Sequence, residues 1–307
     1  MGKAVRAALI GAALLGACAP AEGERRHAVV EPRPQPPADV GAAPTYLVPG
    51  VHEHRVQVDE HTRRWTTVVP DGEAPHSLVV VLHGVGARGV DMRFTGFERR
   101  GAVVAYPDGL GGAWNDGRPG ADPVVPGVDD TRFLRLVIQE TTARTGVDPR
   151  RVAVVGFSNG GVMAGRAACE LADGVAAVAL VGGAGGQGFE QSCRPARPVA
   201  VMLVAGANDR VVPYGGGRVA DWATRRRGFV APVDDVFSFW RVSAGCSSTE
   251  VVAGAPQVHV IRGAGCRAGT SVVRYRVSGG HEWFRAPTFD TTGVIWDFVS
   301  RHVSPLA

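Results

Sequence analysis

A serine enclosed by glycines, directly after a run of β-branched residues, constrains this chain more than any other feature. Residues 152–155 (VAVV) have the composition of a buried strand, and the sequence GFSNG follows at 156–160. The small and apolar residues after it predict a helix packed closely against that strand. The pattern G-x-S-x-G at such a junction predicts that Ser158 lies on a tight, strained turn. The alternative is a glycine-rich turn with an incidental serine, so the rest of the chain must supply a base, an acid and an oxyanion hole.

The hydrophobic pattern on either side of this turn predicts a wound α/β sheet. Continuous apolar runs are typical of strands that are covered on both faces, and they occur at 77–82, 102–106, 152–155, 176–181 and 199–204. The other predicted strands are an antiparallel hairpin and two late strands, at 54–58 with 63–70, 258–261 and 271–277. Helices are predicted after a cap at Asp129 or Asp130, beginning at 237–244, and closing the chain at 291–303.

Strands that alternate with helices imply a mostly parallel sheet with helices on both faces. A length of 307 residues, of which 45% are hydrophobic, suits one large α/β domain or two small ones. The sequence contains no internal repeat and needs no second domain. We therefore expect one catalytic domain over residues 46–307.

The N-terminus has the pattern of an export signal. Lys3 and Arg6 precede an apolar segment, 7–17, that is too short to span a bilayer, which needs roughly 20 residues. The segment ends in LGAC at Cys18, which resembles the lipobox of bacterial lipoproteins. This resemblance implies that Cys18 receives a diacylglyceryl group and becomes the new N-terminus. An ordinary secretory signal cleaved nearby is the alternative.

Both interpretations place the protein outside the cytoplasm. The expected location is extracellular or in the cell envelope, held by the lipid of a signal segment at 1–18, with full secretion as the alternative. Residues 19–45 are rich in proline and alanine, cannot bury enough apolar surface to fold, and predict a tether. The net charge of +4 includes no basic cluster interleaved with aromatic residues, so nucleic acid is not expected as a partner. The membrane is expected only through Cys18, and the protein is expected to be a monomer.

The cysteines predict disulfides and no metal. Cys169, Cys193, Cys246 and Cys266 remain once Cys18 is set aside, an even number in an exported chain. Four cysteines can pair in three ways, and proximity in sequence favours Cys169–Cys193 and Cys246–Cys266. Because no Cys-x-x-Cys or His-x-x-His spacing occurs, neither a metal nor a cofactor is expected.

The remaining catalytic groups are predicted in loops after strands. Residues 82–86 (LHGVG) follow the first long apolar run, and the main-chain amide of Val85 is predicted to form an oxyanion hole with that of Asn159. Asp209 follows the run at 199–204 and is the candidate acid, while His281 follows the last strand and is the candidate base. The order Ser158, Asp209, His281 is that of α/β-hydrolases. Taken singly, each group could instead belong to an ordinary turn or surface loop.

Several motifs together carry a family resemblance: LHGVG, YPDG at 106–109, GAWND at 112–116, VDD at 128–130, GFSNGG at 156–161, VVPY at 211–214 after Asp209, and GGH at 279–281 with Trp283. From about Thr62 to the C-terminus, the chain resembles the polyhydroxybutyrate depolymerase-like esterases. These are related to feruloyl and acetylxylan esterases of the carbohydrate esterase type. The resemblance implies an exported, metal-independent serine esterase of the α/β-hydrolase fold without a large lid.

The chain departs from the family at two places that line the substrate mouth. After its glycines the family commonly has His-Thr-Trp-Pro-Gly, where this chain has HEWFR at 281–285. The oxyanion loop also lacks the usual further glycine after Gly86. Both departures concern the identity of the substrate rather than the triad.

These observations predict a serine carboxylesterase acting on short-chain, aromatic feruloyl-type or polyhydroxyalkanoate-type esters, small or polymeric. Trp114 and Trp283 are predicted in loops at the active-site face, where they could form an aromatic wall for the substrate, although tryptophan is more often a core residue. With no long insertion between Val181 and Val199, an open groove is expected. The alternatives are a serine peptidase on the same triad and a non-catalytic surface-binding protein.

Overall fold

A mixed sheet of ten strands runs through the part of the chain that the computed structural model describes. These residues are 46–72, 77–121, 125–220, 228–252, 254–267, 269–287 and 289–303. They belong to one compact unit that begins at Pro44. The predicted signal segment, Cys18 and the tether at 19–45 lie outside the described residues.

The strands follow one another along the chain as β1 (Gly50–Val58), β2 (His61–Val69), β3 (Leu78–Leu82), β4 (Val103–Pro107), β5 (Val152–Phe157), β6 (Ala177–Val181), β7 (Ala200–Gly206), β8 (Gly217–Arg218), β9 (Phe229–Val230), β10 (Ser248–Val252), β11 (Val258–Ala264) and β12 (Val272–Val277). Their order in the large sheet is β1-β2-β4-β3-β5-β6-β7-β12-β11-β10, and β8 pairs with β9 separately. The six strands from β4 to β12 in this order run parallel. Antiparallel strands extend the sheet at both ends.

Helices cover both faces of the sheet, as predicted. They are α1 (Asp130–Thr145), α2 (Asn159–Glu170), α3 (Val233–Ser243) and α4 (Thr291–Val303). Successive side chains of a strand point to opposite faces. Val154 of β5 accordingly shares one core with residues of α1, α2 and α3, whereas Val155 shares another with residues of α4. No helix among the described residues is both long and apolar enough to cross a bilayer.

The predicted strands and helices are present, but α3 begins earlier than predicted, and β8, β9 and β10 were not predicted. α3 begins at Val233, four residues before the predicted start, because its apolar stripe already includes Val233 and Val236. β10 was missed, since most of its residues are exposed and show no alternation of polar and apolar side chains. Between β3 and β4 the chain forms two short 3-10 turns, at Gly89–Thr95 and Phe97–Arg100.

The two aspartates before α1 position the segment that follows β4. Asp129 caps α1 by accepting a hydrogen bond from the amide of Arg132, at 2.9 Å. Asp130 is buried and pairs with the guanidinium of Arg63 at 2.6 Å. Its second oxygen accepts the amide N–H of Asn115 at 2.7 Å. Both residues therefore act as a cap and a loop brace, as the sequence indicates.

Both predicted disulfides are present. Cys169–Cys193 joins the last turn of α2 to the loop after β6, and Cys246–Cys266 joins the loop after α3 to the loop after β11. The pairs enclose sequence separations of 24 and 20 residues. Closing a loop of this size contributes about 3 kcal/mol in the chain-entropy model. The first disulfide thereby ties the connection between β6 and β7 to α2.

Candidate active site

Ser158 lies on the strained turn that the sequence predicts. It separates the end of β5 from the start of α2 with φ 57° and ψ −120°. Such a conformation is unfavourable for a residue with a Cβ and persists only where the surroundings enforce it. The neighbouring backbone segments can approach this turn closely because the flanking residues are glycines. A methyl group at Gly156 would overlap the carbonyl group of Gly160, and one at Gly160 would lie 2.5 Å from the carbonyl oxygens of Leu82 and His83.

The side chains of Ser158, His281 and Asp209 form an unbroken chain of hydrogen bonds. Nε2 of His281 lies 2.8 Å from Oγ of Ser158, and Nδ1 lies 2.7 Å from Oδ2 of Asp209. Asp209 follows β7 and His281 follows β12, and these two strands are parallel neighbours. Because the carboxyl ends of parallel neighbours meet at one edge of the sheet, residues far apart in sequence come together there.

The carboxylate of Asp209 is held in one orientation. Its Oδ1 accepts the main-chain N–H groups of Val211 and Val212, both at 2.8 Å. This leaves Oδ2 for the imidazole. The side chain of Asp209 is 2% exposed and that of His281 is 15% exposed. The hydrogen on Nδ1 of His281 therefore points at the acid, and Nε2 is left to accept the hydroxyl proton of Ser158.

The loop after β3 approaches Ser158 through a glycine. β3 pairs with β5, so the two loops that follow them are adjacent. A methyl group at Gly84 would lie 3.2 Å from Cβ of Ser158. The half-buried Val85 comes next in this loop, and Asn159 is the first residue of α2, where main-chain N–H groups have no acceptor within the helix. The two predicted oxyanion donors thus belong to segments on either side of Ser158.

His83 orients this loop, a role that the sequence analysis missed. The amide N–H of Gly109 donates to Nε2 of His83 at 2.9 Å, so the ring hydrogen lies on Nδ1, which donates to the carbonyl oxygen of Gly84 at 2.7 Å. Burial lowers the pKa of His83 and keeps the ring neutral. The carbonyl and N–H groups of a trans peptide point in opposite directions. Holding the Gly84 carbonyl therefore turns the Val85 N–H away from His83.

Known proteins of similar sequence and structure carry esterase names. No protein-family model matches the chain. Feruloyl esterase B of Piromyces equi is 32% identical over 67% of this chain, and the esterase-named NocK of Nocardia uniformis subsp. tsuyamanensis is 30% identical over 72% of it. An acetyl xylan esterase from Aspergillus awamori superposes with a TM-score of 0.57 at 14% identity, over 81% of this chain and 99% of that one. The carboxylesterase of Bacillus cereus superposes with a TM-score of 0.51 at 12% identity, over 77% and 94%.

The chain has the α/β-hydrolase fold and resembles feruloyl esterases in sequence. The feruloyl esterase side of the predicted resemblance is thereby confirmed, and so is the predicted fold class. The likeness to the solved structures concerns the fold alone. The chain spans 37% of the length of the Piromyces protein and 63% of the length of NocK.

In this feruloyl esterase-like chain, the side chain of Asn159 braces the loop after β4. Its Oδ1 accepts the main-chain N–H of Trp114 at 2.8 Å, and its Nδ2 donates to the carbonyl oxygen of the same residue at 3.0 Å. Nδ2 also donates to the buried carboxylate of Asp116, which pairs with Arg118. Asn159 therefore fixes the WND segment with its side chain.

The prediction that Trp114 faces the substrate is wrong. Its ring is fully buried, packs against the ring of His83 and donates from Nε1 to the carbonyl oxygen of His83 at 3.0 Å. Trp114 therefore supports the loop after β3, the predicted oxyanion loop, from within the core.

Trp283 lies closer than Trp114 to the predicted position at the active-site face. Its ring is 9% exposed, contacts the rings of Phe157 and Phe94, and lines a surface cavity. Its contact with a substrate stays a prediction. Among the described residues, no three His, Cys, Asp or Glu side chains are grouped so that they could hold a metal ion.

A Gly84→Ala substitution tests the packing around Ser158. The added methyl group at 3.2 Å from the Ser158 Cβ must displace the loop or the serine by a few tenths of an ångström. We expect the rate at which a fluorophosphonate probe modifies Ser158 to fall about tenfold or more, since small misplacements are costly at a reacting atom. The matched control is Gly215→Ala, whose methyl group meets nothing within 4 Å. Equal rates for both variants would contradict the prediction.

Proposed function

We propose that this protein is an exported serine carboxylesterase in which Ser158 is the nucleophile, His281 the general base and acid, and Asp209 the group that orients His281. The observation that carries the proposal is the pair of hydrogen bonds, 2.8 Å and 2.7 Å long, that joins the three side chains. An isolated serine hydroxyl is a weak nucleophile, and an adjacent base oriented by a third group activates it.

The geometry supports a two-step reaction. Nε2 of His281 takes the hydroxyl proton as Oγ of Ser158 attacks the ester carbonyl carbon, and Asp209 stabilises the imidazolium that forms. The amide N–H groups of Val85 and Asn159 receive the developing oxyanion. When the intermediate collapses, the alcohol leaves with the proton from Nε2, and the acyl group remains on Oγ. Water then repeats the attack with His281 as base and releases the acid.

The names of the relatives and the short connection between β6 and β7 support the proposed substrate class. The similar proteins include a feruloyl esterase and an acetyl xylan esterase, which supports aromatic and short acyl groups over long ones. Between β6 and β7 the chain forms a loop with a single 3-10 turn at Phe189–Gln191, and the Cys169–Cys193 disulfide holds it. A segment of this kind is too small to form a deep acyl tunnel. Polyhydroxyalkanoate-type esters remain a second substrate class for the same open groove.

Substitution of the three residues tests the proposed chemistry. Ser158→Ala and His281→Ala should each lower kcat for p-nitrophenyl acetate about 10⁴-fold or more, and Asp209→Asn by about 10² to 10⁴-fold, because the acid acts through the base. The control is Ser238→Ala, which removes an exposed hydroxyl on α3 whose hydrogen bond goes to the carbonyl oxygen of Asp234. Ser158→Ala turnover within tenfold of the parent would refute the assignment. A peptide anilide run in parallel separates an esterase from a peptidase, and inactivity on every substrate would favour a binding protein.

A series of p-nitrophenyl esters tests the open groove. We expect the highest kcat/KM with acetyl to butyryl or hydroxycinnamoyl groups and a steep fall beyond about eight carbons. In an open groove, each further methylene stays in water and contributes none of the about 0.8 kcal/mol of binding free energy that its burial would supply. Methyl ferulate and a short hydroxybutyrate oligomer belong in the same series and distinguish the two proposed substrate classes. A maximum at about twelve carbons or more would contradict the open groove.

Export and lipid attachment at Cys18 are proposed from the sequence alone. A Cys18→Ala chain should appear in the medium or remain unprocessed, whereas the parent should fractionate with membranes, because only a cysteine can carry the lipid. Fractionation and intact mass measure both properties. A Cys18→Ala chain that is processed and membrane-bound like the parent would refute the lipid anchor.

A further inference from the structure

A cavity of about 560 Å³ opens beside the loop that carries His281. Two segments line it: the 3-10 turns that follow the oxyanion loop, with Phe94, and the chain after His281, with Trp283 and Arg285. Its volume is within the range of natural ligand pockets, roughly 300–1,000 Å³. Phe94 is 41% exposed, so part of its ring is accessible from the cavity.

Aromatic contacts connect this cavity to the proposed triad. The ring of Phe157 lies 5.1 Å from the ring of His281 and 6.4 Å from that of Trp283, and the Trp283 ring lies 5.8 Å from that of Phe94. These rings form a row that starts at His281, the proposed general base, and ends at Phe94. The cavity opens at the Phe94 end of the row. A polymer whose ester lies at Ser158 could extend along the surface to this cavity.

The rim of the cavity is strongly cationic. Arg99, Arg100 and Arg285 line it, are exposed, and make no ion pair with any residue in the described ranges. The guanidinium of Arg285 lies over the ring of Phe94 at 4.9 Å. Asp290 is the one acidic residue in the described lining, and its carboxylate already accepts the amide N–H of Gly293 at 2.9 Å. Three arginines therefore surround an aromatic surface with little charge to compensate them.

The position of Arg285 follows from the packing of the residue before it. Phe284 is buried against Phe289, and this packing carries the exposed Arg285 to the rim of the cavity.

We propose that the cavity binds an acidic sugar unit, a uronic acid, of the polymer whose ester the triad cleaves; the inference rests on the proposed esterase function. The apolar face of a sugar ring can pack against the exposed part of Phe94, beside the guanidinium of Arg285. The carboxylate of a uronic acid matches the planar guanidinium of Arg285, with which it can form paired, charge-assisted hydrogen bonds. An anionic membrane would instead favour basic residues on a broad surface, whereas these arginines surround a concave, aromatic site.

Binding to the full-length Ser158→Ala chain tests the inference independently of turnover. Calorimetric titration should show that trigalacturonic acid binds at least tenfold more tightly than xylotriose. Arg285→Gln and Arg100→Gln, each added to Ser158→Ala, should weaken trigalacturonic acid binding about tenfold, the cost of losing a hydrogen bond between charged groups. The matched control is Arg55→Gln, which removes the same charge from an exposed position on the edge strand β1 and should leave the affinity unchanged.

Four results would overturn the inference. They are equal affinity for the acidic and neutral sugars, no loss in either cavity variant, equal competition by inorganic sulfate at constant ionic strength, and binding to anionic phospholipid vesicles that Arg285→Gln abolishes. Failure of the inference is distinguishable from failure of the proposed function. A parent chain that hydrolyses p-nitrophenyl acetate while Ser158→Ala binds no trigalacturonic acid refutes the cavity alone. A parent chain that hydrolyses no ester refutes the proposed function.

Discussion

Three stretches of backbone meet almost in contact around Ser158, and the rest of the site depends on that packing. The end of β5, the first turn of α2 and the loop after β3 come together at Gly156, Gly160 and Gly84. A Cβ at either of the first two positions would overlap a carbonyl group. Strand and helix are fixed by the sheet and by two hydrophobic cores, so the turn between them cannot relax. Ser158 therefore keeps a conformation that costs of order 1–3 kcal/mol.

The order of the strands brings the remaining groups to this turn. β3 and β5 are neighbours and bring the oxyanion loop beside the serine, while β7 and β12 are neighbours and bring Asp209 beside His281. β6 lies between the two pairs, and its following loop fills the space at the edge of the sheet. A methyl group at Gly183 would overlap the carbonyl oxygen of Ser158, and Gly182, at φ 59°, packs against His281. The site is therefore held mainly by main-chain packing.

Buried polar groups then set the directions of the side chains and amides. Neutral His83 fixes the Gly84 carbonyl, Trp114 donates to the His83 carbonyl, and Asn159 holds the Trp114 main chain. Each member of this network is buried and hydrogen-bonded, as polar groups without access to water require. A substitution at one of these residues would therefore displace the loop after β3 through the others.

The features of the fold and of the site that could be predicted from the sequence are local ones. The central strands are continuous apolar runs, and the glycines around Ser158 and before His281 mark turns at strand ends. Trp114 could not be placed in this way, because its burial depends on His83 and Asn159, which lie 31 and 45 residues away. β10 could not be predicted from the sequence either, since it is an edge strand whose residues are mostly exposed. The cavity at Phe94 and Arg285 joins two segments almost 200 residues apart in sequence, which only the closed fold brings together.

The central claim is that Ser158, His281 and Asp209 act as one nucleophilic unit. Rapid acid quenching during p-nitrophenyl acetate turnover, followed by peptide mass analysis, tests it most directly. The account predicts that an acetyl group accumulates transiently on Ser158 in the parent and is retained far longer when His281→Ala is acetylated slowly, since the same base serves both steps. Turnover with no acetyl group on Ser158 at any time, or with the acetyl group on another residue, would contradict the account.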